Sequence, residues 1–307
     1  MTHDLYPSRV AYQPQVLPRE DPVFYGRWRP TAPLNQHQTQ WYVVGGYLVL
    51  EGLFDGEEVA TLQAEAARLH AGSDDDLVDG TTITEPGSGV VRSVFKIHEQ
   101  SPIFARLAAD ARLVDVARFL LDDDVYIHQS RLNYKPGFKG KEFYWHSDFE
   151  TWHVEDGMPH MRALSMSILL TENTTHNGPL MLIPGSHKHY ITCVGQTPED
   201  HYKQSLKKQE YGVPDEQSLA ELAAEGDIVA PTGAPGVVVI FDCNIMHGSN
   251  GNITPYPRSN AFFVFNAVSN KLLAPFGPKT PRPEFIAARE RTPTITAAHG
   301  NLTAQAA

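Results

Sequence analysis

The chain has 307 residues, of which 41% are hydrophobic and 20% charged, the balance of an ordinary soluble globular protein. A net charge of -11 and a pI near 5.7 argue against a nucleic-acid partner. Two cysteines, Cys193 and Cys243, in no CxxC pattern, exclude a disulfide framework and a zinc ribbon.

No apolar run is long enough for a membrane span. Met1-Thr-His-Asp lacks the basic and apolar segments of a signal peptide. A cytoplasmic location without membrane association is therefore expected. Residues 1–40 are rich in Pro, Gln and Arg without a clear period, so they read as an irregular arm over the fold. A short strand is expected at 46–50. Asp55 and Glu58 form a capping-box pair, and Val59, Leu62, Ala66 and Leu69 share one face of the helix that follows. Residues 72–90 read as a polar loop and 91–97 as a strand. Ser101-Pro102 opens a helix, with proline at the position where its missing N–H costs nothing, and Asp110 opens another.

The 125–134 segment returns to strand character, with Gln129, Arg131 and Asn133 on one face. Such a face is either exposed to solvent or lines a polar pocket. Further apolar strands are expected at 164–170, 180–183, 237–241 and 260–268. The polar 194–225 stretch reads as an excursion or lid with a helix near 218–224. The tail from 275 reads as irregular. Helices thus dominate the first half and short strands the second, without a βαβ rhythm. That pattern favours one domain over 1–307, mostly β, with an antiparallel barrel or jelly-roll core and helices outside.

The chemistry concentrates at 144–152, YWHSDFETW. If this stretch is an extended strand, His146 and Asp148 at i and i+2 point to one face and converge. Two histidines and one carboxylate make the facial triad that leaves positions open on a ferrous ion. A third ligand should come from a distant strand, and His247, just after the 237–241 run, is the best placed. Arg258 lies eleven residues further on. On a returning strand its guanidinium would hold a carboxylate through a bidentate fork, as the far end of 2-oxoglutarate requires, with Ser249 beside it. Taken singly, an HxD pair is more often a hydrogen-bonded pair, and Arg258 a surface ion pair.

The run FYWHSDFETWHVEDGMP at 143–159, with QSRLNYKPG at 129–137 and PGSH at 184–187, resembles the Fe(II)/2-oxoglutarate dioxygenases of the phytanoyl-CoA hydroxylase-like branch, over about residues 10–295. One departure is His160, where that pattern has arginine. The resemblance implies a double-stranded β-helix (jelly-roll, cupin-like) core. It implies that His146, Asp148 and His247 hold Fe(II) and that Arg258, Ser249, Asn133 and Phe143 hold 2-oxoglutarate, with O2 as second co-substrate. Within the branch the likeness is to members that hydroxylate ectoine, a small cyclic zwitterion, at C5. It implies substrate contacts from Gln129, Arg131, Trp152, Phe241 and Phe262 or Phe263, and a homodimer by family habit. An aromatic wall suits the amidinium-like ring through cation–π attraction. The rival expectations are the same oxygenase class on another amino-acid-like substrate, a cupin-like metal enzyme with no use for Arg258, and a non-catalytic jelly-roll module.

Overall fold

Period-two alternation along three central strands splits the apolar side chains between two layers. The computed structural model describes residues 4–72, 80–84, 89–198, 202 and 212–303. In chain order its strands are β1 Val16–Pro18, β2 Tyr47–Leu50, β3 Thr82–Thr84, β4 Val91–Phe95, β5 Val125–Lys135, β6 Phe143–His146, β7 Ala163–Leu169, β8 Leu180–Leu182, β9 His189–Ile191, β10 Val238–Asp242, β11 His247–Ser249 and β12 Arg258–Ala267. Seven form one antiparallel sheet in the order β2-β10-β7-β12-β5-β4-β3, and β6-β11-β8 form a second, smaller antiparallel sheet. On β10 and β12, Val238, Ile240, Phe263 and Phe265 face a helical layer that includes Leu62, Phe104, Leu113 and Leu120. Their neighbours Val239, Phe241 and Phe262 face the other way, against Leu180 and Leu182 of the small sheet. This is a double-stranded β-helix with helices on one outer face, as the strand-rich second half predicted. Full burial of one such phenylalanine contributes about 1.5–3 kcal/mol.

The helical layer begins where its caps place it. Helix α2, Gly56–Ala71, starts at Asp55, whose carboxylate accepts from the Glu57 and Glu58 amides while Glu58 reaches back to the cap. Helix α4, Pro102–Ala108, is capped by Ser101, and α5, Ala111–Leu121, by Asp110. Two helices before β5 were not anticipated. The four-residue α3, Ile97–Gln100, follows β4 directly. Helix α1, Gln36–Gly45, rises out of the segment read as irregular arm, capped by Asn35 with Gln38 completing the box. Its amphipathic signal is weak, and only Thr39, Tyr42 and Gly45 are buried.

The arm and the tail are both fastened down. Arm strand β1 pairs with β9. Arg9 is buried, its Nε and Nη2 donating to Glu150 and its Nη1 to Glu155. The tail has no helix or paired strand from Lys271 to Thr303 beyond an isolated bridge at Ala298, yet it does not drift over the surface. Ile286 and Leu302 are buried, and the amides of Ala288, Ile295 and Ala298 donate to His128, Val125 and Ala109 carbonyls. The helix expected near 218–224 spans Glu216–Gly226. The middle of the expected 194–225 excursion lies outside the described residues, as does much of the 72–90 loop.

Candidate metal centre

His146 ends β6 and His247 begins β11, and the two are direct cross-strand partners. Their rings lie 4.2 Å apart between centroids. The strand stops at His146, Ser147 is extended, and Asp148 opens a one-turn helix, α6, Asp148–Thr151, which runs into a π-helical turn at Trp152–Asp156. The i, i+2 relation of His146 and Asp148 thus spans the extended Ser147, but the strand itself ends at His146 instead of continuing through Asp148. The chain turns only at Asp148, after the carboxylate has been set on the side of the histidine pair. Asp148 Oδ1 lies 3.7 Å from His146 Nε2 and Oδ2 3.7 Å from His247 Nε2. All three ligand atoms fall within 4.8 Å of one another, the one such group of histidine, cysteine and carboxylate side chains among the described residues.

Both rings are oriented from behind. His146 Nδ1 donates to the Tyr144 carbonyl at 2.7 Å, and His247 Nδ1 to the Ile245 carbonyl at 3.0 Å. A carbonyl only accepts, so each Nδ1 carries the proton and each Nε2 offers its lone pair toward Asp148. Burial, with His146 beside it, lowers the His247 pKa to about 4, which keeps that ring neutral and ligand-ready at neutral pH. Burial opposes ionisation of Asp148, but pairing with the protonated forms of His247 and His146, and with Arg131 behind them, holds its carboxyl well below the usual carboxylate range. The donor set therefore fits a divalent first-row metal with open positions.

Beside the triad lies a small cavity lined by Arg131, Asn133, Phe143, Ser249, Arg258 and Phe262 together with both histidines. Arg258 is 2% exposed. Its Nη2 donates to Asn133 Oδ1 at 3.1 Å, and its Nε has no hydrogen-bond partner. Among the described residues no carboxylate lies within ion-pair distance of it. Burial, then Arg131 and Arg92, lowers its pKa to about 10. Arg131 Nε is likewise buried and unpartnered, and its guanidinium lies 5.2 Å from the Phe262 ring centre. Arg258, which unlike Arg131 has no carboxylate near it among the described residues, calls for an anion from outside the chain, so the cavity fits a dicarboxylate whose other end reaches the triad.

Of the residues expected at the site, His146, Asp148, His247, Arg258, Ser249, Asn133, Phe143, Arg131 and Phe262 come together. Phe241 borders them, its ring 5.2 Å from that of His247. Three stand elsewhere. Phe263 does not face the cavity, because its place on β12 turns it into the helix-side core, fully buried. Trp152 packs with Phe149 and Met158, edge-on to His128 at 5.1 Å. Gln129 donates to the Ile286 carbonyl at 2.7 Å. Both lie outside the cavity lining.

The acids that follow Asp148 in the chain are engaged elsewhere, Glu150 and Glu155 by Arg9 and Asp156 by Arg282. Cys193 and Cys243 are buried free thiols. Two cations near the cavity were not anticipated. The Arg92 guanidinium stacks 3.7 Å from the Phe143 ring centre, and Lys135 Nζ lies 5.7 Å from it. Lys135 could have been found, since it continues the row 129, 131, 133 on one face of β5. Nothing local marks Arg92.

The phytanoyl-CoA dioxygenase (PhyH) family pattern matches residues 42–260. The chain is 64% identical over 300 residues to the ectoine dioxygenase of Sphingopyxis alaskensis, covering 97% of each chain. It is 57% identical to that of Stutzerimonas stutzeri, covering 94% of this chain and 96% of the relative. Among solved structures it resembles S. alaskensis EctD with 2-oxoglutarate and 5-hydroxyectoine, at TM-score 0.91 and 59% identity over 98% of this chain and all of that one. The same relative with bound Fe matches at TM-score 0.89 and 58% identity over the same shares.

Proposed function

The chain belongs to the phytanoyl-CoA dioxygenase family, and from that premise we infer that it is an Fe(II)- and 2-oxoglutarate-dependent dioxygenase. It hydroxylates ectoine at C5 to 5-hydroxyectoine, with succinate and CO2 as co-products. The observation that carries this reading is the pairing of a ligand-ready His146–Asp148–His247 triad with Arg258, a buried cation that has no acidic partner among the described residues.

His146, Asp148 and His247 would hold the iron. When bound, iron and 2-oxoglutarate together supply the activation of dioxygen, and the protein supplies position and exclusion. Arg258 Nε is the open donor for the distal carboxylate of 2-oxoglutarate. Asn133 holds the fork in place from behind, Ser249 adds a hydroxyl, and Phe143 closes that end of the cavity with an apolar face. This end of the cavity is shut off by side chains 8% exposed or less at Asn133, Ser249, Arg258 and Phe262, so the charge-assisted bonds form in a dry setting where they are strong.

For ectoine we assign Phe241 and Phe262 as the aromatic wall against the ring, and Arg131 as the neighbouring cation. Gln129 and Trp152 join that set on resemblance to the family alone. A homodimer is proposed on the same ground, and a single domain and a cytoplasmic location on composition and patterning. No helix among the described residues is long and apolar enough to cross a membrane.

The test is anaerobic reconstitution with Fe(II), then air, 2-oxoglutarate and ectoine, following succinate and 5-hydroxyectoine together. Both should form in step, and both should vanish in His146→Ala and in Asp148→Ala. Succinate without loss of ectoine would reject the substrate. Iron-loaded protein that consumes no 2-oxoglutarate would reject the class.

A further inference from the structure

Lys135 is the last residue of β5 and is 1% exposed. Burying an ammonium is costly unless its donors are used, and the fold goes to some length to bury this one. Its stem runs between two glycines. A Cβ on Gly140 would come within 2.2 Å of Lys135 Cγ, and one on Gly178, which has φ +72°, within 2.7 Å of Cδ. No other residue type leaves room for the stem at either wall. The ammonium emerges beside the candidate cavity, where Nζ donates to Ser249 Oγ at 2.8 Å and also to the Asn250 carbonyl.

The direction of that first bond matters. A serine hydroxyl has one proton to give and lone pairs to accept with. With Nζ donating into the oxygen, the Ser249 proton is left for another acceptor, and Ser249 lines the cavity beside Arg258. Lys135 is also the direct cross-strand partner of Arg258. Directly opposed like charges destabilise a sheet, and both of these are buried. An anion held between their ends would offset the repulsion.

We propose that Lys135 is a positioning residue for the distal carboxylate of 2-oxoglutarate, acting through Ser249. It turns the hydroxyl proton toward that carboxylate and adds a second positive charge behind it. The proposal rests on the reading of the cavity as the 2-oxoglutarate site.

The experiment measures binding rather than turnover. Iron(II)-loaded enzyme is titrated without oxygen, following the visible charge-transfer band of a chelated keto acid. Two ligands are compared: 2-oxoglutarate, and 2-oxopentanoate, which has the same chain but no distal carboxylate. Lys135→Met fills the stem's path without the charge. It should weaken 2-oxoglutarate roughly tenfold or more, as for loss of a charge-assisted hydrogen bond, and leave 2-oxopentanoate unchanged. Ser249→Ala should do the same, and the double variant should bind no more weakly than the worse single one. Lys135→Gln, which keeps a donor but no charge, should recover part of the loss.

Equal weakening of both ligands, no weakening of either, or fully additive losses would overturn the role. So would failure of both Lys135 variants to fold, which would assign the lysine to structure. Wild-type enzyme that binds neither keto acid would instead remove the co-substrate reading itself, and this proposal with it.

Discussion

Replacing Arg258 by glutamine should separate ligand binding from stability. In the free protein the guanidinium is a buried charge whose pKa is lowered to about 10 from 12.5, first by burial and then by Arg131 and Arg92. That shift corresponds to a cost of about 3 kcal/mol in the folded state at neutral pH. A depressed folded-state pKa on a cation means the cost is fully present below about pH 10 and is relieved only as pH rises toward 12.5. Glutamine removes the charge. Against this, it leaves Asn133 Oδ1 without its donor, about 1 kcal/mol, and gives up some packing, about another 1 kcal/mol. The free variant should therefore be as stable as the parent or up to about 1 kcal/mol more stable. With 2-oxoglutarate the sign reverses. Stranding a buried carboxylate without its cation costs about 3–5 kcal/mol, a loss in affinity of roughly 100-fold to several thousand-fold. The assay is thermal unfolding of iron-loaded, oxygen-free protein with and without 2-oxoglutarate. Ligand at about 100 times Kd stabilises the parent by about 2.7 kcal/mol, roughly 5 °C for a chain of this size, and that rise should vanish in Arg258→Gln. A free variant more than about 2 kcal/mol less stable, or an affinity loss under about tenfold, would refute the reasoning.

Two further substitutions probe how the fold supports the site. Arg9→Met leaves Glu150 buried without its cation and Glu155 with Arg282 alone, so the urea midpoint should fall by the equivalent of about 3–5 kcal/mol at unchanged slope; an unchanged midpoint would show that the arm does not clamp the segment following Asp148. Glu58 is held at about 2, below its ordinary 4.5, chiefly by the Arg112 hydrogen bond and also by the Leu302 and Asp55 amides. Its contribution to stability is thus fully present above pH 4.5 and lost as pH falls toward 2. Unfolding free energies measured across that window should fall less steeply in Glu58→Gln, and an acid limb identical to the parent's would sink the assignment.

Much of the helical layer was legible locally. Asp55 with Glu58, Ser101 with Pro102, and Asp110 each announce a helix start by the chemistry of the cap, which depends only on neighbouring residues. The α1 box at Asn35 and Gln38 was equally present, but its helix buries too little apolar surface to show a period. The triad residues were also legible, because an imidazole and a carboxylate two apart, inside a long distinctive run, with a late histidine at a strand end, leave few alternatives. What the spacing could not show is where the strand stops. A strand geometry was expected, and the chain instead ends its strand at His146 and turns into a helix at Asp148.

Where information about partners is needed, residue order is silent. The 260–268 run is apolar on both faces, so alternation cannot say whether Phe262 or Phe263 meets the cavity. That is decided by which face of the large sheet the helices cover. Arg92 shows the same limit. It looks like an ordinary surface cation on a strand, and only the packing of β4 beside β5, with Phe143 of the small sheet closing over them, turns it inward. The sequence by itself thus determined which groups the chain owns for holding a metal and an acid. The tertiary structure decided which of them share one dry cavity, because burial and charge proximity arise only when distant strands are brought together.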